Sequence, residues 1–239
     1  MMKVCIDPGH GGYDPGAVGP SGLKEKDVTL SVSTILSKIL QSKGIDVVLT
    51  RTGDLLTWRP DNDLWARCNV ANQAKADIFV SIHCNSATNP AATGTETFCY
   101  QKSGQAYALA QVIQSCLVQT LRLPDRGVKT ANFYVLRGTN MPAVLVELAF
   151  INNPKEEALL RNGDFQRTCA ESIAQGILQV MGVDEVLPGA KIKVDSKILQ
   201  GFIKNDLTYA PVRALAEALG YKVAWDDKTR TVTITKEAK

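Results

Sequence analysis

The chain has 239 residues, 45% of them apolar and 21% charged, with a formal net charge of +3. That length holds one large domain or a large one plus a small one, and the apolar share excludes wholesale disorder. No apolar run approaches the roughly 20 residues that a membrane helix needs, which argues against membrane insertion. Basic and acidic residues nearly balance on both sides of residue 183, so neither part has the basic excess of a nucleic-acid binder. The opening Met1-Met2-Lys3-Val4-Cys5-Ile6-Asp7 has too short an apolar stretch for a secretory signal, and a cytoplasmic site of synthesis is expected. Six cysteines, at 5, 68, 84, 99, 116 and 169, include no CxxC pair and read as reduced, mostly buried thiols.

In chain order, an apolar strand at 4–7 runs into Pro8-Gly9 and delivers His10 at its end. Apolar residues at 28, 32, 35, 36, 39 and 40, closed by Gly44, predict a helix over 26–42. Further strands are predicted at 46–50, 78–83, 95–100, 134–136 and 143–148, and further helices at 64–75, 105–121 and 165–181. This alternation predicts an α/β fold, a mainly parallel sheet with helices on both faces. The segments 52–63 and 85–93 read as loops bordering a cleft. The first domain is placed at 1–182 and a linker at 183–189, where Asp184, Glu185, Pro188 and Gly189 interrupt the last helix. Residues 190–239 are expected to form a small α+β domain. It would comprise a strand at 191–195, a helix at 211–219 and a hairpin of 222–225 with 231–235 around a turn at 226–228.

His10 and His83 are the only histidines, and both stand at the C-terminal ends of predicted strands, where open α/β sheets form their ligand crevice. Catalytic zinc takes three protein ligands and keeps one position open. The two histidines supply two nitrogens, and Glu25, just before the first helix, is the best local candidate for the third ligand. The bland alternatives are a histidine in a glycine turn with no ligand role and a solvated Lys-Glu-Lys-Asp face. Glu147 interrupts the apolar run Ala143-Val144-Leu145-Val146-Glu147-Leu148-Ala149-Phe150. Burying an ionised carboxylate is costly. The residue is therefore a general base with a tuned pKa, a strand-end group facing water, or the partner of an arginine.

Together these segments resemble the zinc-dependent N-acetylmuramoyl-L-alanine amidases of the type 3 family, which include phage endolysins and bacterial autolysins. The resemblance runs from about residue 3 to 180. It is carried by Asp7-Pro8-Gly9-His10-Gly11-Gly12, Gly22-Leu23-Lys24-Glu25-Lys26, Ser81-Ile82-His83-Cys84-Asn85-Ser86 and Val146-Glu147-Leu148-Ala149-Phe150-Ile151-Asn152-Asn153. Arg51, Arg67, Ala71-Asn72 and 131–136 add to it. The resemblance implies zinc held by His10, Glu25 and His83, Glu147 as the catalytic glutamate, and cleavage of the amide between the lactyl group of N-acetylmuramic acid and L-alanine in peptidoglycan. Asp7 and Glu96 are candidates to accept the other N–H of a ligating imidazole. Asn85 and Asn132 are candidates to bond the peptide or lactyl carbonyl, and Arg67 to hold a stem-peptide carboxylate or, as helix arginines more often do, to serve as a surface ion-pair partner. Cys84, adjacent to His83 on a strand, should point to the opposite face and not bind metal.

The tail, with Thr208-Tyr209-Ala210-Pro211-Val212-Arg213-Ala214-Leu215-Ala216-Glu217-Ala218-Leu219-Gly220-Tyr221, resembles the small domain named after the N-terminal region of copper amine oxidases. It has no His and no Cys, which argues against copper. Its expected roles are wall targeting, pairing of two copies into a homodimer, or a structural appendage. Competing readings of the whole are a zinc peptidase cutting within the stem peptide and a non-catalytic wall-binding protein. The intact set of four site residues speaks against the latter. Without a signal, the enzyme would reach the wall through a phage holin or on cell lysis.

Overall fold

The computed structural model describes residues 2–183, 189–195, 197–204, 207–226, 229 and 231–236. The chain divides into two compact units, Met1–Val183 and Asp184–Lys239. The first unit comprises β1 (Lys3–Pro8), α1 (Glu25–Ser42), β2 (Asp46–Leu49), α2 (Asp63–Ala74), β3 (Ile78–Asn85), β4 (Thr95–Cys99), α3 (Gly104–Leu121), β5 (Asp125–Thr130), α4 (Tyr134–Arg137), β6 (Ala143–Phe150), α5 (Pro154–Arg161) and α6 (Gly163–Val180). Its six strands form one sheet in the order β2-β1-β3-β6-β4-β5. All neighbours are parallel except β4 and β6.

The pleat sorts side chains between two apolar layers. Val4, Ile6, Ile78, Val80, Ile82, Val144, Val146 and Leu148 face α1, α3 and α6, forming the larger cluster with Val32, Leu36, Leu109, Ile113, Ile173 and Ile177. Cys5, Phe79, Ala143 and Leu145 face the other way, toward Cys68 and Ala71 of α2 and Val135 and Leu136 of α4. Helices therefore cover both faces of a mostly parallel sheet, but unequally. Three long helices cover one face, and α2 with the four-residue α4 covers part of the other. All six cysteines are buried.

Several elements differ from the expectation. Residues 134–136, read as a strand, form helix α4: a three-residue apolar run carries no usable period, and here packing against α2 decides. The edge strand β5 was not anticipated, because Asp125-Arg126-Gly127-Val128-Lys129-Thr130 is mostly polar. Helix α5 was also missed, although its start is written locally. Pro154 stands at the first helical position, and the Asn153 side chain accepts from the backbone N–H groups of Lys155 and Glu156.

The second unit has a three-stranded antiparallel sheet of β7 (Gly189–Val194), β8 (Lys197–Lys204) and β9 (Leu207–Tyr209), then α7 (Val212–Ala218). A hairpin of β10 (Tyr221–Asp226) and β11 (Thr231–Lys236) follows, close to its expected place. Among the residues of this unit whose burial is described, only Ala216 is buried. Residues 184–188 of the expected linker, and 227–228 of the expected turn, lie outside the described residues. Among the described residues no helix is long and apolar enough to cross a membrane.

Helices α3 and α6 meet closely at Gly176 of α6. A Cβ there would stand 2.8 Å from Ile113 Cγ1 and 2.9 Å from Ile113 Cα. Gly176→Val should therefore overpack the α3–α6 seam and cost about 1–3 kcal/mol. The expected result is a lower urea midpoint with an unchanged slope.

Candidate active site

The residues of the α2/α4 face change character at the carboxyl ends of the strands. On β1 the series Cys5 is followed by Asp7. On β3 Phe79 is followed by Ser81 and His83, and on β6 Ala143 and Leu145 are followed by Glu147. These strands lie side by side, and His83 is paired in register with Glu147. Because α2 and α4 cover only the apolar part of this face, the polar ends open into a cleft of about 410 Å³. Asp7, His10, Glu25, His83, Asn85, Phe133, Tyr134 and Glu147 are among the residues that line it.

His10 stands beyond the end of β1 at φ 62, the left-handed region that costs a side chain about 1–2 kcal/mol. Two buried arginines hold this turn by its carbonyls. Arg67 donates to the carbonyls of Pro8 and His10, both at 2.7 Å. Arg51 donates to Pro8 and Gly9, both at 3.0 Å, and the Thr29 hydroxyl also donates to Gly9. Hydrogen bonds from charged donors contribute about 1.5–3 kcal/mol each, so several of them outweigh the backbone strain.

Glu25 is the first residue of α1 and is buried. Its Oε1 accepts the backbone N–H of Cys84 at 2.9 Å and its Oε2 that of Ala17 at 2.9 Å. Each oxygen also meets one imidazole: His83 Nδ1 at 2.9 Å from Oε1, and His10 Nε2 at 3.1 Å from Oε2. The imidazole rings stand edge to face, 4.9 Å apart between centroids. Glycine is required around them: a Cβ on Gly9 would sit 2.4 Å from the His83 ring, and one on Gly16 2.7 Å from both Glu25 and His10.

One ligand atom from each of His10, Glu25 and His83 lies within 4.8 Å of the others. His10 Nδ1 is 2.7 Å from Asp14 Oδ2. A carboxylate there keeps the proton on Nδ1 and turns the Nε2 lone pair toward Glu25. A lone pair and a carboxylate oxygen 3.1 Å apart require a cation between them, either a proton or a metal ion. Burial alone would lower the His10 pKa, but the hydrogen bonds and charges of Glu25 and Asp14 prevail and raise it to about 9. Burial would likewise raise Glu25, yet the two imidazoles hold it far below the usual carboxylate range. The donor set, two imidazoles and a carboxylate locked by backbone N–H groups, fits a zinc ion with one position left open.

Glu147 is the exception to this pairing. Its Oε2 is buried with no hydrogen-bond partner among the described residues. Burial, and then the nearby negative charges of Glu25 and Glu96, push its pKa up to about 7, with the His83 charge opposing.

Other sequence expectations need correction. Asp7 accepts no imidazole N–H. Its carboxylate takes Thr50, Ser81 and Arg67, and despite full burial these partners hold its pKa below the usual value. The carboxylate that orients His10 is Asp14, unsuspected because an aspartate in a glycine-rich turn reads as a turn former. Glu96 also touches no histidine and is taken up by Asn85, Arg126 and Lys129. Arg67 lines the cleft, but its guanidinium is engaged by Asp7, Asp63 and the carbonyls of Pro8 and His10. Asn132 is exposed, accepts from Arg137, and is not among the cleft-lining residues, whereas its neighbour Phe133 is. Asn85 does line the cleft, with its amide donating to Glu96. Cys84 lies in the apolar cluster on the opposite face from His83, as strand alternation requires.

A family model described as N-acetylmuramoyl-L-alanine amidase matches residues 4–179, and one described as copper amine oxidase N-terminal domain matches residues 189–239. The chain is 39% identical over 224 residues to a sporulation-specific N-acetylmuramoyl-L-alanine amidase of Bacillus subtilis (strain 168), covering 92% of this chain and 83% of the relative. It is 37% identical over 208 residues to the endolysin of Bacillus phage SPP1, covering 84% and 74%. The catalytic domain of CwlV, an N-acetylmuramoyl-L-alanine amidase from Bacillus (Paenibacillus) polymyxa var. colistinus, superposes with a TM-score of 0.72 at 40% identity. That match covers 77% of this chain and all of that one.

The clamp on the His10 turn is testable through stability. Arg67→Met releases two carbonyls and strips Asp7 of its buried countercharge, a change that costs about 3–5 kcal/mol. At about 2–4 °C per kcal/mol for a domain of this size, thermal unfolding should shift down by roughly 10 °C. A shift of a degree or two would show that Thr50 and Ser81 suffice to hold Asp7.

Proposed function

We propose that this chain, which belongs to the N-acetylmuramoyl-L-alanine amidase family, uses zinc to hydrolyse the amide joining the lactyl group of N-acetylmuramic acid to the first L-alanine of the peptidoglycan stem. One observation carries the zinc reading: three convergent donors, His10, Glu25 and His83, stand beside a buried carboxylate oxygen of Glu147 that has no partner.

His10, Glu25 and His83 would hold the metal. When bound, zinc supplies Lewis acidity toward the scissile carbonyl and the attacking water. The chain's own part is proton transfer and orientation. Burial pushes the Glu147 pKa up toward neutrality, so it can accept a proton from the water and then return it to the departing alanine nitrogen. Asp14 keeps the proton on His10 Nδ1, and the N–H groups of Ala17 and Cys84 fix both oxygens of Glu25. Leu64, Phe133, Val135 and Leu145 give the cleft an apolar wall on which the uncharged parts of the substrate can pack. A zinc peptidase cutting within the stem would employ the same groups, and mass spectrometry of the products separates the two reactions.

Release to the wall by cell lysis or a phage holin is in keeping with the similarity to an endolysin. The C-terminal unit is the candidate for wall targeting. No observation among the described residues favours pairing of two copies through it.

Glu147→Gln should retain about one zinc per chain and lose roughly a hundred- to ten-thousandfold in the release of alanine amino termini from purified walls. His83→Ala should lose the metal as well, and a chelator should silence the wild type. A wild type that lyses walls without zinc would overturn the metal assignment. Removing residues 190–239 should reduce co-sedimentation with purified walls, and unchanged binding would end the targeting role.

A further inference from the structure

A second polar cluster continues the site toward the edge of the sheet. Strand β5 is that edge, and its register with β4 slips: Thr95 pairs with Asp125 but Thr97 with Val128, so two steps on β4 match three on β5. The extra step contains Gly127 at φ 76, whose N–H donates to Asp125. Residues 126 and 129, three apart, would face opposite ways on a regular strand. The bulge turns both onto the face that carries Glu147. Arg126 Nε is 2.7 Å from Glu96 Oε2, and Lys129 Nζ bonds the same oxygen.

Glu96 is 4% exposed, so it needs a countercharge. One cation would suffice, and two are present. Their side chains remain 36% and 40% exposed, with Arg126 stacked 4.8 Å over the Phe150 ring. The result is a pre-positioned pair of donors with a net positive charge and one side in water. Lysines on edge strands commonly guard against strand pairing. A guard needs neither a bulge nor a buried anchor, and this pair has both.

The place of the cluster matters as much as its charge. Glu96 pairs directly with Glu147 across β4 and β6, so the two share a face. Asn85 lines the cleft and donates to Glu96 Oε1 at 2.8 Å, which joins the cluster to the cleft wall. With strands about 4.8 Å apart, β5 lies roughly 10 Å from β6. An extended peptide covers that distance in about three residues. Given the amidase reading, on which this inference rests, we propose that Arg126 and Lys129 form a subsite for a carboxylate of the substrate peptide, two or three residues beyond the scissile amide on the leaving-group side.

The test uses the full zinc-loaded chain and two muramoyl peptides, identical except that one has its peptide carboxylates free and the other has them as carboxamides. The wild type should favour the free acid by about five- to tenfold in kcat/KM, mainly through KM, and the preference should shrink with added salt. Lys129→Gln should bring the ratio of the two substrates close to one, while Lys129→Arg should keep it. Arg126 still holds Glu96 in either variant, so no buried charge is orphaned. Equal use of both peptides by the wild type, or an equal loss on both in Lys129→Gln, would overturn the subsite and leave these cations as countercharges alone. Failure of the amidase reading looks different: the wild type would then free no alanine-headed peptide from either substrate, and the subsite would fall with it.

Discussion

The site depends on two buried arginines that hold its first turn by the backbone. Arg51 and Arg67 are 4% and 2% exposed, and between them they take the carbonyls of Pro8, Gly9 and His10. A turn that leaves a strand, places a histidine at positive φ and continues through two glycines at positive φ has little reason to hold its shape alone. Charged donors aimed at three successive carbonyls give it that reason. The same Arg67 neutralises Asp7, which in turn receives Thr50 from the segment after β2 and Ser81 from β3. One buried ion pair thus joins β1, α2 and β3 just below the imidazoles, and the direction of His10 is a consequence of that junction.

Above this junction the pleat does the sorting. Period-2 alternation sends Val80 and Ile82 to the long helices and Ser81 and His83 to the short ones, so the chemistry collects on the thinly covered face. This much was legible in the residues. Two lone histidines at strand ends and one glutamate inside an apolar strand are conspicuous against their surroundings, and Glu25 stands at a helix start that must return to the sheet edge. The helices α1, α2, α3 and α6 were legible for the same reason, since their apolar period is long.

What stayed hidden was hidden for specific causes. Asp14 is four residues from His10 within a glycine-rich loop, and only the folded turn brings its carboxylate to Nδ1. Strand β5 lacks alternation because a bulge interrupts it, and the bulge is what turns Arg126 and Lys129 to the same side. Arg67 is an ion-pair partner, the commoner role of a helix arginine, but the pair is buried rather than at the surface, because Asp7 is brought to it only by the fold. Helix α4 was lost in a run too short to have a period.

The contrast between Glu96 and Glu147 shows how one sheet face supports two opposite carboxylate chemistries. They are direct cross-strand neighbours, Glu96 buried and Glu147 half-buried at the cleft, and like charges so placed repel. Glu96 has an amide and two cations, and after the cost of burial these hold it below the usual carboxylate range. Glu147 has no partner for its buried oxygen, and burial with the neighbouring charges raises it to about 7. A pair of titratable groups pushed apart in this way assigns its own roles. The satisfied carboxylate is a fixed anion that can only organise what surrounds it. The unsatisfied one, on the strand next to His83, is the group to which the proposed reaction gives the taking and returning of a proton.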